Sequence, residues 1–430
     1  MTRIQNVFGR RIWDSRGNPT VEVEVALTCG ATGRSAAPAG ASRGSREAID
    51  LRDGGTRLGG MDVRRAVANV NGPISDALRG MKASDQAAID EILCETDGTA
   101  DKSSLGGNAT VATSLAVLCA AAASEGRPLW AHLAAEGFHR PSIPLPEIQI
   151  FGGGAHAGRR VDVQDFMIMV PGAESFGESL EIASEIYRAA GSIMERSRGS
   201  VGVADEGGWW PRFDSNEQTL ETLMAAIEAS GETPGDRVVV SLDVAASEFG
   251  SGGLYELALE DRLLDTDSMI GLLENWIDKY PIVSIEDPLA EDDVRGMIEI
   301  TERLGSRVQI VGDDYLVTNA SLVEEAAKAG ACNAVLVKVN QAGTVSESLA
   351  AVRSASKAGF GAIVSARSGE TEDVSICHLA VGLDAGQLKV GSFARSERMA
   401  KWNECVRISE NPLAGEFVGG RPLSGTWWGR

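Results

Sequence analysis

Residues 362–373 read Ala-Ile-Val-Ser-Ala-Arg-Ser-Gly-Glu-Thr-Glu-Asp, a short apolar run that ends in an arginine, a serine, a glycine and three acidic residues. Polar groups placed directly after an apolar strand indicate a functional site rather than a solvated surface. Four earlier segments repeat the arrangement, each a short apolar run that ends in one charged residue: 238–242 before Asp243, 282–285 before Glu286, 308–312 before Asp313, and 334–337 before Lys338.

These five runs are separated by segments of helical length, which is typical of parallel strands joined by crossover helices. A doubly wound sheet also alternates strands and helices in this way. A β/α barrel, however, places its catalytic groups at the C-terminal ends of its strands, around one centre. Because five consecutive strand ends carry an ionic residue, the sequence favours a closed β/α barrel.

The chain is acidic and has an ordinary globular composition. Its 430 residues are 43% hydrophobic and 23% charged, and the formal net charge is −21. This length suffices for two domains, one of which could be a large barrel. The negative charge argues against binding to nucleic acid or anionic membranes, which depends on clustered cations. The acidity either serves solubility or reflects carboxylates around a divalent cation, and composition does not separate the two.

The spacing of the cysteines and the composition of the first residues give a prediction of the cellular compartment. The six cysteines are scattered without paired spacing and form no C-x-x-C element, so neither a zinc site nor a disulfide framework is indicated. The first residues lack the apolar core of a signal peptide. The most apolar helical stretch, 111–123, is predicted to be a packed helix too short to span a bilayer. We therefore expect a soluble, cytoplasmic protein with reduced thiols.

The first third of the chain has a different pattern. Residues 20–27 alternate apolar and polar side chains, which predicts a half-exposed antiparallel strand. Residues 36–45 are rich in small side chains, and this loop is either a plain linker or a mobile lid. Helical patterns rich in Ala and Leu continue to about His132. This part of the chain is therefore predicted to be α+β.

A domain boundary is predicted where the pattern changes. Three prolines within residues 141–146 cannot continue a helix. We therefore predict an N-terminal α+β domain over residues 1–140 and a C-terminal barrel with the functional site over residues 141–430.

Three carboxylates end successive predicted strands. In a barrel, Asp243, Glu286 and Asp313 would converge, and their oxygens would suit a hard cation such as Mg²⁺. Lys338 and Arg367 would project from the next two strands. A bound dication disfavours the charged form of a nearby lysine, so the lysine could act as a base. An arginine followed by a serine could hold an oxyanion or a phosphate. Each residue alone could also be a helix cap or half of an ion pair, but their succession in strand order favours a site.

Long motifs extend this pattern over essentially the whole chain. They are Asp-Ser-Arg-Gly-Asn-Pro-Thr at 14–20, Asp-Glu-Gly-Gly at 205–208, Leu-Asp-Val-Ala-Ala-Ser-Glu at 242–248, Ile-Glu-Asp-Pro at 285–288, Gly-Asp-Asp at 312–314, Lys-Val-Asn-Gln at 338–341 and Ser-Gly-Glu-Thr-Glu-Asp at 368–373. In these motifs the chain resembles the enolase family. The resemblance implies an N-terminal α+β lid domain, a C-terminal β/α barrel with a modified strand order, and a homodimer or an assembly of dimers.

The resemblance also implies a site with two Mg²⁺ ions and a small substrate that carries phosphoryl and carboxylate groups. Asp243, Glu286 and Asp313 would hold the first ion. Ser42, on the loop of small residues, would join the second ion. Lys338 would remove the proton alpha to the carboxylate of a 2-phosphoglycerate-type substrate.

The other implied residues act on the leaving group and on the anionic groups of the substrate. Glu206 would act as general acid at the leaving hydroxyl, and Asp165 would be a second catalytic carboxylate. Lys389 would be catalytic and would also assist the substrate carboxylate and the metals. The remaining substrate-binding residues that the resemblance implies are Arg367 and Ser368 for the phosphoryl group, together with His156 and Gln164.

Several positions depart from the family's pattern. Ala366 stands where family members carry a histidine near the departing hydroxyl. Asp165 stands where they carry a glutamate, which shortens the reach of the carboxylate by about 1.5 Å. Arg43 replaces a threonine of the lid, and Arg159 and Arg160 occupy positions where small polar residues are commoner. The proton-abstracting half of the site therefore matches the family, whereas the leaving-group half differs.

Three functions remain open on this evidence. The first is a specialised enzyme, since some enolase homologues in phosphonate-antibiotic pathways form carboxyphosphonoenolpyruvate, an enolpyruvate with an additional carboxylate on phosphorus. Arg43, or Arg159 with Arg160, would suit that extra charge, and Ala366 would give it room. The second is an ordinary enolase that dehydrates 2-phosphoglycerate to phosphoenolpyruvate. The third is a non-catalytic binding protein with the enolase fold.

Overall fold

The N-terminal domain combines a three-stranded antiparallel sheet with helices. The computed structural model describes residues 2–135, 137, 140–198 and 202–429. The sheet has its strands in sequence order, with β1 at Ile4–Trp13, β2 at Pro19–Leu27 and β3 at Thr32–Ala36. The helices are α1 (Arg64–Asn69), α2 (Ser75–Leu78), α3 (Gln86–Asp97), α4 (Gly107–Ser124) and α5 (Leu129–Ala135), with a π-helical turn at Val70–Ile74.

Strand β2 converts the alternation in the sequence into one buried face. Val21, Val23 and Val25 are fully buried, and the glutamates between them, Glu22 and Glu24, are only half-buried. Side chains of a strand alternate between its two faces, so the valines share the face that packs against α4. The predicted half-exposed strand is therefore present.

Helix α4 is longer than the predicted stretch 111–123. It covers Gly107–Ser124, and its 18 residues are long and apolar enough to cross a membrane by length and composition. However, 83% of this segment is buried inside the protein. The expectation that the helix is too short to span a bilayer is therefore wrong, whereas its interpretation as a packed helix is confirmed.

The second domain contains a closed eight-stranded barrel, which confirms the predicted fold class. Its strands are β4 (Leu145–Gly152), β5 (Asp165–Met169), β6 (Val239–Asp243), β10 (Ile282–Glu286), β11 (Gln309–Gly312), β12 (Ala334–Val337), β13 (Gly361–Ser365) and β14 (Gly386–Ser392). The order around the barrel is β10-β11-β12-β13-β14-β4-β5-β6. Strand β5 runs antiparallel to both of its neighbours, while the other pairs are parallel.

The five apolar runs of the sequence correspond to β6, β10, β11, β12 and β13. Two barrel strands lack such a run because polar side chains are buried in them, Glu147 and Gln149 on β4 and Gln387 and Lys389 on β14. Strand β5 adds an antiparallel connection that alternating strands and helices do not predict. The strands of the five runs are parallel to one another, as expected, and the antiparallel β5 lies outside that series.

Helices surround the barrel, and a small separate sheet lies beside it. The helices are α6 (Phe176–Arg198), α7 (Asn216–Ala229), α8 (Thr266–Lys279), α9 (Val294–Leu304), α10 (Ala320–Ala329), α11 (Val339–Ala342), α12 (Val345–Ala358), α13 (Ser375–Gly382) and α14 (Ser396–Ser409). The small sheet contains β7 (Gly250–Ser251), β8 (Leu254–Leu257) and β9 (Arg262–Asp265).

The C-terminal segment covers the end of the barrel where the parallel strands begin. Trp427 donates a hydrogen bond from its Nε1 to the carbonyl oxygen of Ile282, at 2.6 Å. A separate buried apolar cluster at this end contains Leu145, Met169, Val239, Val283 and Leu423. This end of the barrel is therefore sealed by apolar packing, which leaves the opposite end for polar groups.

The N-terminal domain contacts the opposite end of the barrel through the loop of small residues. Ala39 and Gly369 form an antiparallel bridge with two backbone hydrogen bonds of 2.9 Å. Ser15 adds a backbone hydrogen bond to the carbonyl oxygen of Glu370, at 2.7 Å. Loop 36–45 therefore lies over the barrel loop that follows β13, in the position of a lid.

All six cysteines are free, in line with the predicted reduced thiols. Three of them, Cys332, Cys377 and Cys405, are buried. Burial raises the pKa of Cys119 to about 12, so this thiol stays protonated and unreactive at neutral pH.

Candidate active site

The charged residues predicted at the strand ends lie together at the C-terminal end of the barrel. Asp243 and Glu286 are the last residues of β6 and β10 and are paired in register. Asp313 follows β11, and Lys338 follows β12. All four side chains are buried. The rim of the barrel therefore concentrates charged groups away from water.

Lys389 of β14 lies between two of the predicted metal ligands. Its Nζ donates to Asp243 Oδ2 and to Glu286 Oε2, both at 2.8 Å. Burial works against the charged lysine, but the carboxylates of Asp243 and Glu286 outweigh it and raise the pKa of Lys389. Burial likewise works against the Asp243 carboxylate, but the charge of Lys389 lowers the pKa of Asp243 to about 2.

Glu286 carries the opposite shift. Burial, and then the neighbouring charge of Asp243, raise the pKa of Glu286 well above its ordinary value. Its Oε1 atom has no hydrogen-bond partner among the described residues. An orphaned, buried carboxylate oxygen next to two further carboxylates is a favourable ligand for a hard dication.

Lys338 forms an ion pair with Asp313. Burial disfavours the charged lysine, but Asp313 outweighs this effect and raises the pKa of Lys338. Gln341 fixes the other oxygen of the carboxylate, because its Nε2 donates to Asp313 Oδ1 at 2.8 Å. The sequence suggested that a bound dication would lower the pKa of Lys338. Without such an ion, the negative charge of Asp313 keeps that pKa raised. A dication bound to Asp313 would offset this negative charge.

The donor set fits Mg²⁺, which prefers oxygen ligands. Among the described residues, two groups of three side chains bring their ligand atoms within 4.8 Å of one another. One group is Asp287, Asp313 and Asp314, and the other is His156, Asp165 and Glu206. The predicted set of Asp243, Glu286 and Asp313 is instead connected through the amino groups of Lys389 and Lys338. Asp313 thus belongs to both the predicted and the observed acidic groups.

His156, Asp165 and Glu206 form the second buried group of the site. His156 lies in the short 3-10 turn Gly154–Ala157, and its Nδ1 is 3.5 Å from Asp165 Oδ1. Burial lowers the pKa of His156, but the negative charges of Glu206 and Asp165 outweigh it and raise the pKa. This side of the site therefore favours a protonated imidazole, which suits proton donation.

Gln149 positions this acidic group and was missed in the sequence. Its Nε2 donates to Asp165 Oδ1, and its Oε1 accepts from the backbone N–H of Gly208 at 2.8 Å. It thereby joins Asp165 to the loop that carries Glu206. Gln164, predicted to bind substrate, donates to Asp243 Oδ2 at 3.1 Å and so contacts a predicted metal ligand.

Arg367 is buried and bonded to the lid. Its Nη1 donates to Glu47 Oε2 at 3.0 Å, and its Nη2 donates to Glu47 Oε1 at 3.2 Å and to the carbonyl oxygen of Ser42 at 2.9 Å. The hydroxyl of Ser368 accepts from the backbone N–H of Ala41 at 2.6 Å. A phosphoryl group at this position would have to share or replace these lid contacts. Glu47 had no signal in the sequence, because it lies 320 residues from its partner.

A small cavity of about 10 Å³ joins these groups. It is lined by Lys338, Glu206, Ala366 and Ser42, and by most of the other predicted site residues. The predicted site residues that do not line it are Glu286, Asp313 and Arg43.

The additional arginines lie outside this cavity. Arg159 donates to Glu248, with Nη2 at 2.8 Å from Oε2, and the Arg160 guanidinium stacks 3.8 Å from the ring centre of Trp210. Arg43 is exposed on the lid. The structure therefore does not bring Arg159 and Arg160 into the site, because local partners already hold both side chains.

Comparison with known families agrees with this architecture. Residues 4–133 match the family model described as the enolase N-terminal domain. Residues 140–421 match the model described as the enolase C-terminal TIM barrel domain. The two matches follow the order of the two domains in the structure, and together they leave only short segments of the chain unmatched. The chain belongs to the enolase family.

Proposed function

We propose that this protein is a Mg²⁺-dependent enzyme that forms an enolpyruvate from a 2-phosphoglycerate-type substrate. The observation that carries the proposal is one buried cavity lined by a lysine base, Lys338, and a carboxyl acid, Glu206, together with the anion-binding pair Arg367 and Ser368. A base and an acid in the same closed space are what elimination of water across a carbon–carbon bond requires.

The base side of the reaction uses Lys338 and Lys389. Lys338 would accept the proton from the carbon alpha to the substrate carboxylate, and Lys389 would neutralise the charge that develops on that carboxylate. Mg²⁺ bound by Asp243, Glu286 and Asp313, with a second ion near Ser42, would supply further positive charge for these anionic oxygens. The buried setting strengthens each of these interactions relative to water.

The acid side uses Glu206, with Asp165 and His156 beside it. Glu206 would give its proton to the leaving hydroxyl as the carbon–oxygen bond breaks, so that water departs. Gln149 would hold Asp165 in place, as its hydrogen bonds to Asp165 and Gly208 indicate. This arrangement separates proton removal from proton delivery, which is the usual division of roles in general acid–base catalysis.

We further propose that the enzyme is specialised for a more anionic product of the carboxyphosphonoenolpyruvate type. The support is Ala366, a buried methyl group in the cavity wall, which has no hydrogen-bond donor and takes up less space than a histidine side chain would. Arg43 on the lid is a cation that could meet an additional carboxylate. Arg159 and Arg160 give no support, since both are held by other partners.

Phosphorus NMR with Mg²⁺ tests the proposal. Purified protein is incubated with 2-phosphoglycerate alone and, in parallel, with 2-phosphoglycerate plus an activated phosphonoformate. The specialised function predicts slow phosphoenolpyruvate formation in the first sample and a new phosphonate product in the second. Rapid conversion of 2-phosphoglycerate alone, at about 10–1,000 per second, would instead establish the ordinary enolase reaction. No turnover in either sample would favour a non-catalytic role.

We also propose that the protein is a homodimer or an assembly of dimers and that it is cytoplasmic. Phe8 and Trp13 on β1 are 45% and 52% exposed, and β1 is an edge strand of its sheet. Exposed apolar residues on a strand edge are commonly covered by a partner. Light scattering after size exclusion should give at least twice the 45.2 kDa mass of the chain, and a monomer would contradict the proposal.

A further inference from the structure

We propose that Arg398 of α14 is a positioning residue for the turn Arg367–Ser368 and orients that turn to bind an anion. The proposal rests on the proposed function, in which this turn receives the phosphoryl group. Arg398 lies behind the turn, does not line the cavity and carries no role in the proton transfers described above.

Arg398 binds the backbone carbonyl groups of the turn. The side chain is fully buried. Its Nη1 donates to the carbonyl oxygen of Arg367 at 2.7 Å, and its Nη2 donates to that of Ser368 at 2.6 Å. Nη1 also donates to the carbonyl oxygen of Val390 on β14, at 2.9 Å. Charge-assisted hydrogen bonds of this length are strong, so the guanidinium ties two consecutive carbonyls of the turn to the barrel wall.

These bonds determine where one backbone N–H points. The peptide bond between Arg367 and Ser368 is trans, and in a planar trans peptide the C=O and the following N–H point in opposite directions. Because the carbonyl of Arg367 points to Arg398, the N–H of Ser368 points away from α14, on the side of the cavity that Ser368 lines. Among the described residues no acceptor bonds this N–H, so it is available to an anion.

Lys401 supports the same turn from the same helix. It is fully buried, and its Nζ lies 3.0 Å from Glu370 Oε2. The other oxygen of Glu370 accepts from the backbone N–H of Arg367 at 2.9 Å. Residues three apart share one face of a helix, so Arg398 and Lys401 together fix the backbone on both sides of Arg367.

The charge of Arg398 is satisfied mainly by backbone carbonyls. Its nearest carboxylate is Glu397, at 3.6 Å from Nε, and Nε itself has no hydrogen-bond partner among the described residues. A buried cation that is not fully paired adds positive potential behind the turn. Arg398 therefore favours anion binding through both geometry and charge.

The test compares Arg398→Lys with wild type in the full-length protein, using inorganic phosphate as the probe. A lysine keeps the charge but cannot bridge the two carbonyls in the same fork. Calorimetry should show a Kd for phosphate raised about tenfold, equivalent to about 1.4 kcal/mol. With 2-phosphoglycerate, KM should rise by a similar factor while kcat changes less than about threefold.

Reference variants separate positioning from folding. Arg407→Lys alters another arginine of α14 that pairs with Glu404 on the surface and should leave both constants unchanged. Arg367→Lys should abolish phosphate binding, which shows that phosphate reports on the turn. If Arg398→Lys fails to fold, Lys401→Met replaces it, with an expected threefold rise in the phosphate Kd.

The outcomes distinguish this inference from the proposed function. Weakened phosphate binding in Arg398→Lys without any turnover by wild type would support the positioning role and refute the enzyme. Unchanged phosphate binding in a folded Arg398→Lys variant would overturn the positioning role. So would a lowered unfolding temperature with no change in Kd or KM, because it would show that Arg398 acts only in folding.

Discussion

Within the proposed function, Ala366 is the residue on which we expect the choice of substrate to depend most. It lies directly before the anion-binding turn and lines the same cavity as Glu206 and His156. A methyl group can neither donate a proton nor hydrogen-bond a leaving hydroxyl. In the proposed mechanism the acid side would therefore rely on Glu206, Asp165 and His156, and the methyl group would leave a substrate more room than a histidine side chain.

Restoring a donor at this position should recover ordinary dehydration. Ala366→His places an imidazole in the cavity wall, where general acid catalysis typically contributes about 10²–10⁴-fold. We expect the rate of phosphoenolpyruvate formation from 2-phosphoglycerate to rise at least about tenfold. A coupled or absorbance assay of phosphoenolpyruvate measures it.

Ala366→Leu is the matched control, because it fills the space without adding a donor. It should not raise the dehydration rate and should reduce turnover of a larger substrate. If Ala366→His folds and gains no dehydration activity, the missing histidine is not the decisive change in this protein.

At the scale of structural elements, a buried ion pair ties the lid to the barrel, in addition to the backbone bridge between Ala39 and Gly369. Glu47, two residues after the lid loop, accepts hydrogen bonds from the guanidinium of Arg367 with both oxygens, and both side chains are buried. Gly40 makes this close approach possible, since a Cβ there would lie 2.0 Å from Arg367 Nη2. Closure of the lid and the orientation of Arg367 are therefore coupled through the same contact.

Removing the charge of Glu47 should loosen the lid. Breaking a buried ion pair by changing one partner commonly costs about 3–5 kcal/mol, and part of this cost should appear as opening of the loop. Glu47→Gln should therefore be cut by trypsin after Arg43 or Arg46 at least about tenfold faster than wild type. Mass spectrometry of the fragments locates the cleavage.

Glu291→Gln is the comparison for the lid experiment. Among the residues that the structure describes, the Glu291 carboxylate accepts only from the backbone N–H of Ser45, at 3.2 and 3.3 Å, in an exposed setting, so its loss should change the cleavage rate far less. Equal cleavage of the Glu47 variant and wild type would show that the ion pair does not hold the lid.

At the scale of the whole molecule, Asp90 joins the two domains. Its Oδ2 accepts from the backbone N–H and the hydroxyl of Ser346 in the barrel, at 2.8 and 2.6 Å. Its Oδ1 accepts from the hydroxyl of Ser114 on α4, at 2.6 Å. Burial raises the pKa of Asp90, although the bonds from Ser114 and Ser346 oppose this rise.

The contribution of Asp90 to the free energy of unfolding should therefore change with pH. When folding raises the pKa of a carboxyl group, that group stabilises the folded protein fully at pH values below its pKa in the unfolded chain, about 4. This contribution is lost as the pH rises through the pKa in the folded protein. Asp90→Ala should cost about 2–3 kcal/mol near pH 4, and less as pH increases above that. Urea unfolding at several pH values measures the difference.

Asp76→Ala is the control for this series, since the Asp76 side chain is 80% exposed. Its effect on the free energy of unfolding should be small at every pH. A cost for Asp90→Ala that grows with pH would contradict the raised pKa.

Metal binding should also stabilise the whole molecule. A ligand that binds only the folded state adds about 2.7 kcal/mol at one hundred times its Kd. We expect Mg²⁺ to raise the unfolding temperature, EDTA to reverse the effect, and Asp243→Asn to reduce it strongly. If wild type shows no Mg²⁺ response, the metal site is not functional, and the non-catalytic role gains support.

Patterns in the sequence were enough to predict the barrel, the packed helix α4, and the carboxylates, Lys338 and Arg367 at the rim. This was possible because the features are local: an apolar run defines a strand, and a charged residue at its end is brought to the rim by the parallel connection. The antiparallel strand β5 was not predicted. The polar side chains inside β4 and β14 also break the pattern that identifies a strand.

Contacts between distant side chains, in contrast, become visible only in the folded protein. The pairing of Glu47 with Arg367, the carbonyl contacts of Arg398 and the hydrogen bonds of Gln149 join elements far apart in the chain. Tertiary contacts also directed Arg159 and Arg160 to Glu248 and Trp210 instead of the cavity. Such contacts depend on how rigid elements pack in three dimensions, and no periodicity or spacing in the sequence encodes them.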